Sequence, residues 1–422
     1  MSTAISGLEA NGQALSVIAD NVVNANTTGF KGSRAEFHSI LAQDVIDAIG
    51  LQLGRGVTMS GIATLFTQGP LTRTDRGTDL AINGNGFFVL KDNNNSVVYT
   101  RDGSFRFDKE GWLTTLGGSR VQAYGATQEG KITGKLGDVR IPYSTIPAKP
   151  TSRIDLQCNL DARTDIGPPL DMEKPDQTSQ FTSAIQVFDS IGNPHAVSVY
   201  FNKTADSFWE WHAMADGADM AGGKAGSPVE MANGTLTFDQ EGKLYSQSQN
   251  LVNTSFANGA VPNQKLEFLF GDPIDKVGTG LKGTVQYGSK NNTMRLGQDG
   301  WTAGTPVDIS IDQEGLVSAF YTNGQNRTLG QLATARFDAS ERLKKIGENQ
   351  FRETLQSGQA LIGKPNSAGR GVIVNKSLEL SNVDLAKEFV DMIKIQRGFQ
   401  ASTKSIVTAN DMLEEVLNIK RN

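Results

Sequence analysis

Apolar residues recur at alternating spacings of four and three at both ends of the chain. Near the start the series is Ala4, Leu8, Asn11, Leu15, Ile18, Val22 and Ala25. Near the end it is Leu385, Phe389, Met392, Gln396, Phe399, Thr403, Ile406, Asn410, Leu413 and Leu417. Such spacing gathers each set on one stripe of an α-helix, and the stripe needs an apolar partner. The pattern predicts a helix from about Ala4 to Asn24, ended by the turn-prone Asn26-Thr27-Thr28-Gly29. It predicts another after Ser381-Asn382-Val383-Asp384, which supply cap candidates, running through Leu417 for about 50 Å at 1.5 Å per residue. In the C-terminal series one seam position is apolar throughout (Leu385, Met392, Phe399, Ile406, Leu413), while the other turns polar at Gln396, Thr403 and Asn410. Polar seam residues fix register and partner choice at a cost in stability. A terminal helix without a core of its own frays, so two of them imply termini that meet each other and neighbouring copies.

Between the ends the period shortens. Ser33-Arg34-Ala35-Glu36 reads as a capping box opening a short helix through Phe37, Ile40 and Leu41, before Gly50, Gly54, Gly56 and Gly61 break the pattern. From Leu80 onward, Phe87–Leu90, Val97–Tyr99 and Ser104–Phe107 are strand-like runs separated by glycine and asparagine. An Asp-x-x-Gly turn after an apolar residue recurs at Phe107–Gly111, Phe188–Gly192, Phe238–Gly242 and Ile311–Gly315. Its Asp can accept backbone amides two residues on, and its Gly supplies the left-handed position that closes a hairpin. Asp216–Pro228 reads as an exposed loop, and Pro147–Pro150 and Gly167-Pro168-Pro169 read as connectors.

At 422 residues the chain holds several domains. Its 40 basic and 45 acidic residues nearly balance, which leaves no electrostatic footprint for nucleic acid. No stretch approaches the roughly 20 apolar residues of a spanning helix, so no membrane insertion is expected. The first residues lack a basic, then apolar, leader, so no cleaved signal is expected. His38, His195 and His212 are scattered, and one cysteine, Cys158, allows no intramolecular disulfide. No metal-ligand spacing, catalytic constellation or cofactor loop is found; Gly84-Asn85-Gly86 reads as a tight turn before Phe87. The Asp-x-x-Gly turns hold too few oxygen ligands for a calcium loop.

Four separated stretches carry a resemblance. Asp20–Lys31, with Asn24-Ala25-Asn26-Thr27-Thr28-Gly29-Phe30-Lys31 at its end, resembles the N-terminal signature of the flagellar rod and hook axial proteins. Leu380–Phe389 together with Gln396–Ala401 resembles the matching C-terminal signature. Gly84–Phe88 and Tyr99–Phe105, with Gln68-Gly69 upstream, resemble the inner-domain motif of the same family. Length, a large inserted β-region and Cys158-Asn159-Leu160-Asp161 make the chain most similar to the hook proteins among them.

The fold class expected is α+β: N- and C-terminal helices form a coiled-coil-like core domain, with β-rich inner and outer domains inserted between them. The expected division is 1–30 with 381–422 for the helical core and 31–70 with 371–380 for a connecting segment. Residues 71–145 with 286–370 would form the inner domain and 146–285 the outer. Here the resemblance favours an extended segment after the N-terminal signature, against the capping-box helix. It implies a tubular homopolymer outside the cell, joining rod to filament. Its paired terminal helices would line a channel and its β-domains would sit at larger radius. Implied partners are other copies, rod proteins, a hook cap, hook–filament junction proteins and the flagellar type III export apparatus. The assembly residues would be Leu8, Leu15, Ile18, Val22, Leu385, Phe389, Met392, Phe399, Ile406, Leu413 and Leu417, with polar contacts at Asn11, Gln396, Thr403 and Asn410. Cys158 reads first as a buried or edge thiol; the resemblance offers a second reading, because a cysteine at a similar place crosslinks subunits in some spirochaete relatives. The other readings are a rigid distal rod-type protein, and a β-rich adhesin or carbohydrate-active protein for which Trp209 and Trp211 would line a cleft.

Overall fold

The computed structural model describes residues 2–41, 54–127, 130–141 and 145–419. The chain divides into two compact units: unit 1 is residues 1–143, 307–320 and 326–422, and unit 2 is residues 144–306 with 321–325.

Unit 1 begins with helix α1 (Ser2–Val23) and ends with helix α3 (Leu385–Ile419); the four-residue helix α2 (Pro175–Thr178) belongs to unit 2. Asp384 caps α3, its Oδ1 accepting from the amides of Ala386 at 2.9 Å and Lys387 at 3.3 Å. After α1, strand β1 (Ser33–Leu41) pairs antiparallel with strand β2 (Gly54–Thr64). The capping-box helix is therefore absent. The Ser33 amide goes to the side chain of Asn21 at 2.8 Å, and the β2 ladder takes the backbone groups that a helix would have satisfied internally. Gly50 lies outside the described residues, while Gly54, Gly56 and Gly61 fall on β2. Gly56 has φ +115°, and a Cβ there would lie 2.0 Å from Ser6 Oγ of α1. Only glycine lets the helix close on this strand.

The rest of unit 1 is built on an antiparallel sheet in which strands Arg120–Ala126, Phe87–Lys91, Val97–Thr100 and Gln350–Arg352 are successive neighbours. Phe88, Leu90 and Val98 face one core cluster, and Phe87, Val89 and Tyr99 the other. Burial on both faces explains why Phe87–Leu90 reads as an unbroken apolar run rather than an alternating one.

Unit 2 contains a six-stranded antiparallel sheet whose main path runs Phe181–Phe188, Pro194–Ala205, Phe208–Asp216, Pro228–Phe238 and Leu244–Gln247. Trp209 and Trp211 are completely buried in its core with Phe201, Phe268 and Phe270, so they line no cleft. The four Asp-x-x-Gly turns form as expected. Asp108, Asp189, Asp239 and Asp312 each accept the amide two residues on, and Gly111, Gly192, Gly242 and Gly315 have φ between +77° and +95°. A fifth copy at Asp92 escapes the pattern because Asn95, at φ +62°, replaces the glycine.

The expected fold class needs correction. The structure is β-rich, with 42% strand and 16% helix, and its terminal helices do not form a coiled-coil core along the predicted seams. They do touch. Glycines lie where they meet: a Cβ on Gly7 would sit 3.3 Å from Ser402 Oγ, and one on Gly398 would sit 3.3 Å from Asn11 Nδ2. Glycines bring the backbones together where large apolar knobs would hold them apart. Helix α1 also packs on β1 and β2, and between these strands and α3 its Ala10, Ala14, Val17 and Ile18 are buried.

Candidate functional site at the joined termini

Three charged side chains from distant parts of the chain meet in the interior of unit 1. Lys31 ends the N-terminal signature, Arg101 directly follows strand Val97–Thr100, and Glu379 ends strand Ser377–Glu379. Their side chains are 0%, 3% and 0% exposed. Lys31 Nζ donates to Glu379 Oε1 at 2.5 Å and to the Thr67 carbonyl at 2.8 Å. Glu379 Oε1 also accepts the Gly69 amide at 2.9 Å, and Oε2 accepts from Arg101 at 3.3 Å. Arg101 donates onward to the carbonyls of Ile82 and Gly84, and its guanidinium lies 5.4 Å from the centre of the Phe87 ring. Burial pulls the Lys31 ammonium below its ordinary pKa, outweighing the opposing attraction of Glu379. Burial pulls on Arg101 in the same direction, with Glu379 again opposing it. One carboxylate therefore serves two buried cations, an arrangement that collapses without it.

Amides complete the knot. Asn21 of α1 exchanges two hydrogen bonds with the backbone of Ser33, each 2.8 Å. Asn382, just ahead of α3, accepts the Gly32 amide at 2.8 Å and donates to Leu65 and Thr67. The Gly29 amide donates to the Glu379 carbonyl at 2.7 Å. At φ +68°, Gly29 has no room for a side chain, since a Cβ would come within 2.5 Å of the Asp102 nitrogen. Lys345 bridges the Lys31 carbonyl and Ser33 Oγ while lying 5.0 Å from the centre of the Phe30 ring. This knot can fix the two chain ends relative to the inner sheet. It offers no reacting centre.

The residues expected to drive assembly divide sharply. Ile18 is buried in α1, whereas Leu8, Asn11, Leu15 and Val22 are half-buried. On α3, Leu385, Phe389, Phe399, Leu413 and Leu417 stay 39–63% exposed, and Val390, Ile393 and Val407 are exposed with them. Met392 and Ile406 are half-buried; Gln396, Thr403 and Asn410 are exposed, with Thr403 Oγ1 donating to the Phe399 carbonyl of its own helix. Cys158 is fully buried in unit 2, and burial pushes its thiol up to about 12. Lys31 and Arg101 stand inside signature motifs, yet nothing in the residues beside them marks the role of either. A pairing across 348 positions leaves no local trace.

The comparisons follow the chain from end to end. Residues 1–31 match the family described as flagella basal body rod protein, and 81–155 the flagellar hook protein FlgE/F/G D1 domain. Residues 159–301 match the flagellar basal body protein FlaE D2 domain, and 374–419 the flagellar basal body rod FlgEFG protein C-terminal family. Flagellar hook protein FlgE of Salmonella typhimurium is 35% identical, and that of Escherichia coli (K12) 34% identical, each over 99% of both chains. The same protein of Borreliella burgdorferi is 34% identical over 99% of this chain and 98% of its own. The crystal structure of Helicobacter pylori flagellar hook protein FlgE2 superposes with a TM-score of 0.53 at 13% identity, covering 73% of this chain and all of that one; it shares the fold. With the signatures of both termini knotted by one buried carboxylate and the similarity unbroken along the whole length, the chain belongs to the flagellar hook protein family.

Proposed function

We propose that the chain is the structural subunit of the bacterial flagellar hook, polymerising into a curved tube that joins rod to filament and transmits torque while bending. The observation that carries this reading is the full-length similarity to hook proteins, both termini included. The apolar face of α3 supports it. A helix that shows solvent Leu385, Phe389, Phe399, Leu413 and Leu417 gains little from its own subunit, and contiguous apolar exposure marks an interaction surface. Neighbouring copies cover that face in the tube, at about 25 cal/mol per Å² of apolar area removed from water. Gln396, Thr403 and Asn410 on the same helix give polar contacts that water can replace as the tube flexes. The working division is a helical segment at 1–30 and 381–422, a connecting segment at 31–70 and 371–380, an inner domain at 71–145 and 286–370, and an outer domain at 146–285. Export through the flagellar type III apparatus, assembly under a hook cap, and contact with rod and junction proteins belong to the same reading.

The test uses purified full-length chain imaged by negative-stain electron microscopy beside Phe389→Glu and Leu413→Glu. Both side chains are about half exposed, so the variants fold. Curved tubes from the parent and none from the variants are expected. Tubes of equal number and length from all three would refute the role of α3, and the lack of any tube from the parent would refute the polymer.

A further inference from the structure

Arg101 belongs to the knot of unit 1 and also to the wall of a cavity. The cavity, about 320 Å³, lies within unit 1, and Asn85, Arg336, Asp338 and Ser340 line it together with Arg101. The rings of Phe66, Phe87 and Phe337 complete the wall. They are fixed edge to face, with centroids 5.2 Å apart for Phe66 and Phe87 and 5.8 Å for Phe87 and Phe337. Packed side chains thus hold the space open. At about 30 Å³ per water in the liquid, it has room for on the order of ten waters or one small solute.

A guanidinium has five N–H donors. Nη1 of Arg101 donates to the Ile82 carbonyl and to Glu379 Oε2, both at 3.3 Å, and Nη2 donates to the Gly84 carbonyl at 2.8 Å. That leaves one Nη2 hydrogen and the Nε hydrogen. Nε has no partner among the described residues, although the side chain is only 3% exposed. An unmet donor on a buried cation is costly, because nothing replaces its lost hydration. Charge adds to the deficit, since Lys31 and Arg101 share the single carboxylate of Glu379. Nε and the adjoining Nη2 form one edge of the guanidinium, and such a fork takes an oxyanion through two parallel hydrogen bonds.

Arg336 brings a second cation to the same cavity. It is loosely held, with bonds of 3.3 Å to the Ala368 carbonyl and 3.4 Å to Asp338 Oδ1, and its side chain is 39% exposed. A ligand can draw it in without breaking a strong pair, because exposed ion pairs contribute little. Asp338, largely exposed, is the group that competes for it.

We infer that this cavity binds a small oxyanion between Arg101 and Arg336, with the Asn85 and Ser340 side chains completing its hydrogen bonds. The bound anion supplies the second negative charge that the two buried cations lack, and so stabilises the joined termini. This is a site of the single subunit and stands whether or not copies polymerise.

The test is calorimetric titration of the full-length, unpolymerised chain with inorganic phosphate, sodium chloride being adjusted to keep ionic strength constant. A saturable one-to-one isotherm is expected, and Tm should rise by a few degrees as the site fills. Arg336→Gln, at a partly exposed position, should leave the Tm of the anion-free chain unchanged and weaken binding by about tenfold or more. Asp338→Asn removes the competing carboxylate and should tighten binding several-fold. Succinate titrated in the same way separates the two chemistries: the tighter of the two anions tells whether a phosphoryl or a carboxylate group fits the fork. A rise in Tm that never saturates and is shared by both variants would be a general salt effect and would overturn the site. Absence of binding heat and of any Tm shift with either anion would overturn it as well.

Discussion

The two terminal helices are written in nearly the same code and meet different fates. Both carry apolar residues every three or four positions, and both end the same unit. Helix α1 is clasped on one side by β1 and β2 and touched on another by α3, so Ala10, Ala14, Val17 and Ile18 are buried. Helix α3 touches α1 at Gly398 and Ser402, and its Leu385, Phe389, Phe399, Leu413 and Leu417 stay exposed. Periodicity states that a helix has an apolar face; it does not state what covers it. Elements of the same subunit, the β1–β2 pair together with α3, cover the buried face of α1. Other copies are the proposed cover for α3.

The largest test of this contrast is the knot that holds both helices in place. Glu379→Leu leaves Lys31 and Arg101 buried without a counter-ion and should cost roughly 3–5 kcal/mol in urea unfolding of the subunit. A loss under about 1 kcal/mol would mean that the ions are not buried together.

Next come paired truncations on the two faces. Ile18→Ala should destabilise the subunit by about 2–4 kcal/mol, because it empties a buried site on α1. Phe389→Ala should change subunit stability by less than about 0.5 kcal/mol yet reduce tube formation. Equal losses of stability would erase the distinction between the helices.

A smaller effect belongs to unit 2 and depends on pH. Burial pushes the Asp189 carboxyl upward, but hydrogen bonds from Asn193, His195 and Ile191 outweigh it and hold the group below its ordinary value. The stability it contributes is present above the unfolded pKa of about 4 and is lost as pH falls toward the lower folded value. Asp189→Asn should therefore lower the Tm of unit 2 at pH 7, and the deficit should shrink as pH falls below about 4. A pH-independent deficit would assign the loss to turn geometry alone.

The smallest effect is local to α3. Asp384→Ala should cost about 1 kcal/mol, read as faster amide exchange in the first turn of α3 with α1 unchanged. Spread of that effect to α1 would show the helices to be one cooperative element.

Local chemistry was legible wherever a few adjacent residues decide the outcome. The Asp-x-x-Gly turns, the ends of α1 and α3, the Asp384 cap and the strand runs of the inner sheet all follow from side chains that act on their own backbone. The fifth turn at Asp92 was missed because Lys91 stands where the pattern has an apolar residue and Asn95 takes the left-handed place of glycine. The capping-box reading at Ser33 failed for a different reason. Its residues favour a helix start, but Asn21 and the β2 strand offer the backbone better partners from outside the segment. The candidate site shows the same limit. Signature motifs were visible as motifs, while the union of Lys31, Arg101 and Glu379 required the fold to bring together residues up to 348 positions apart.

By itself, then, the sequence determined where the two terminal helices and the Asp-x-x-Gly turns lie, that the middle of the chain is β-rich, and to which family the whole belongs. Each of these is set by periodicity, by turn chemistry or by motifs held within a dozen residues. Only the tertiary structure decided which apolar faces are covered, that Gly7 and Gly398 lie where the helices meet, and which carboxylate neutralises the buried cations. Those outcomes depend on long-range pairing and on how much water each side chain keeps, and neither quantity is carried by any local stretch of the chain.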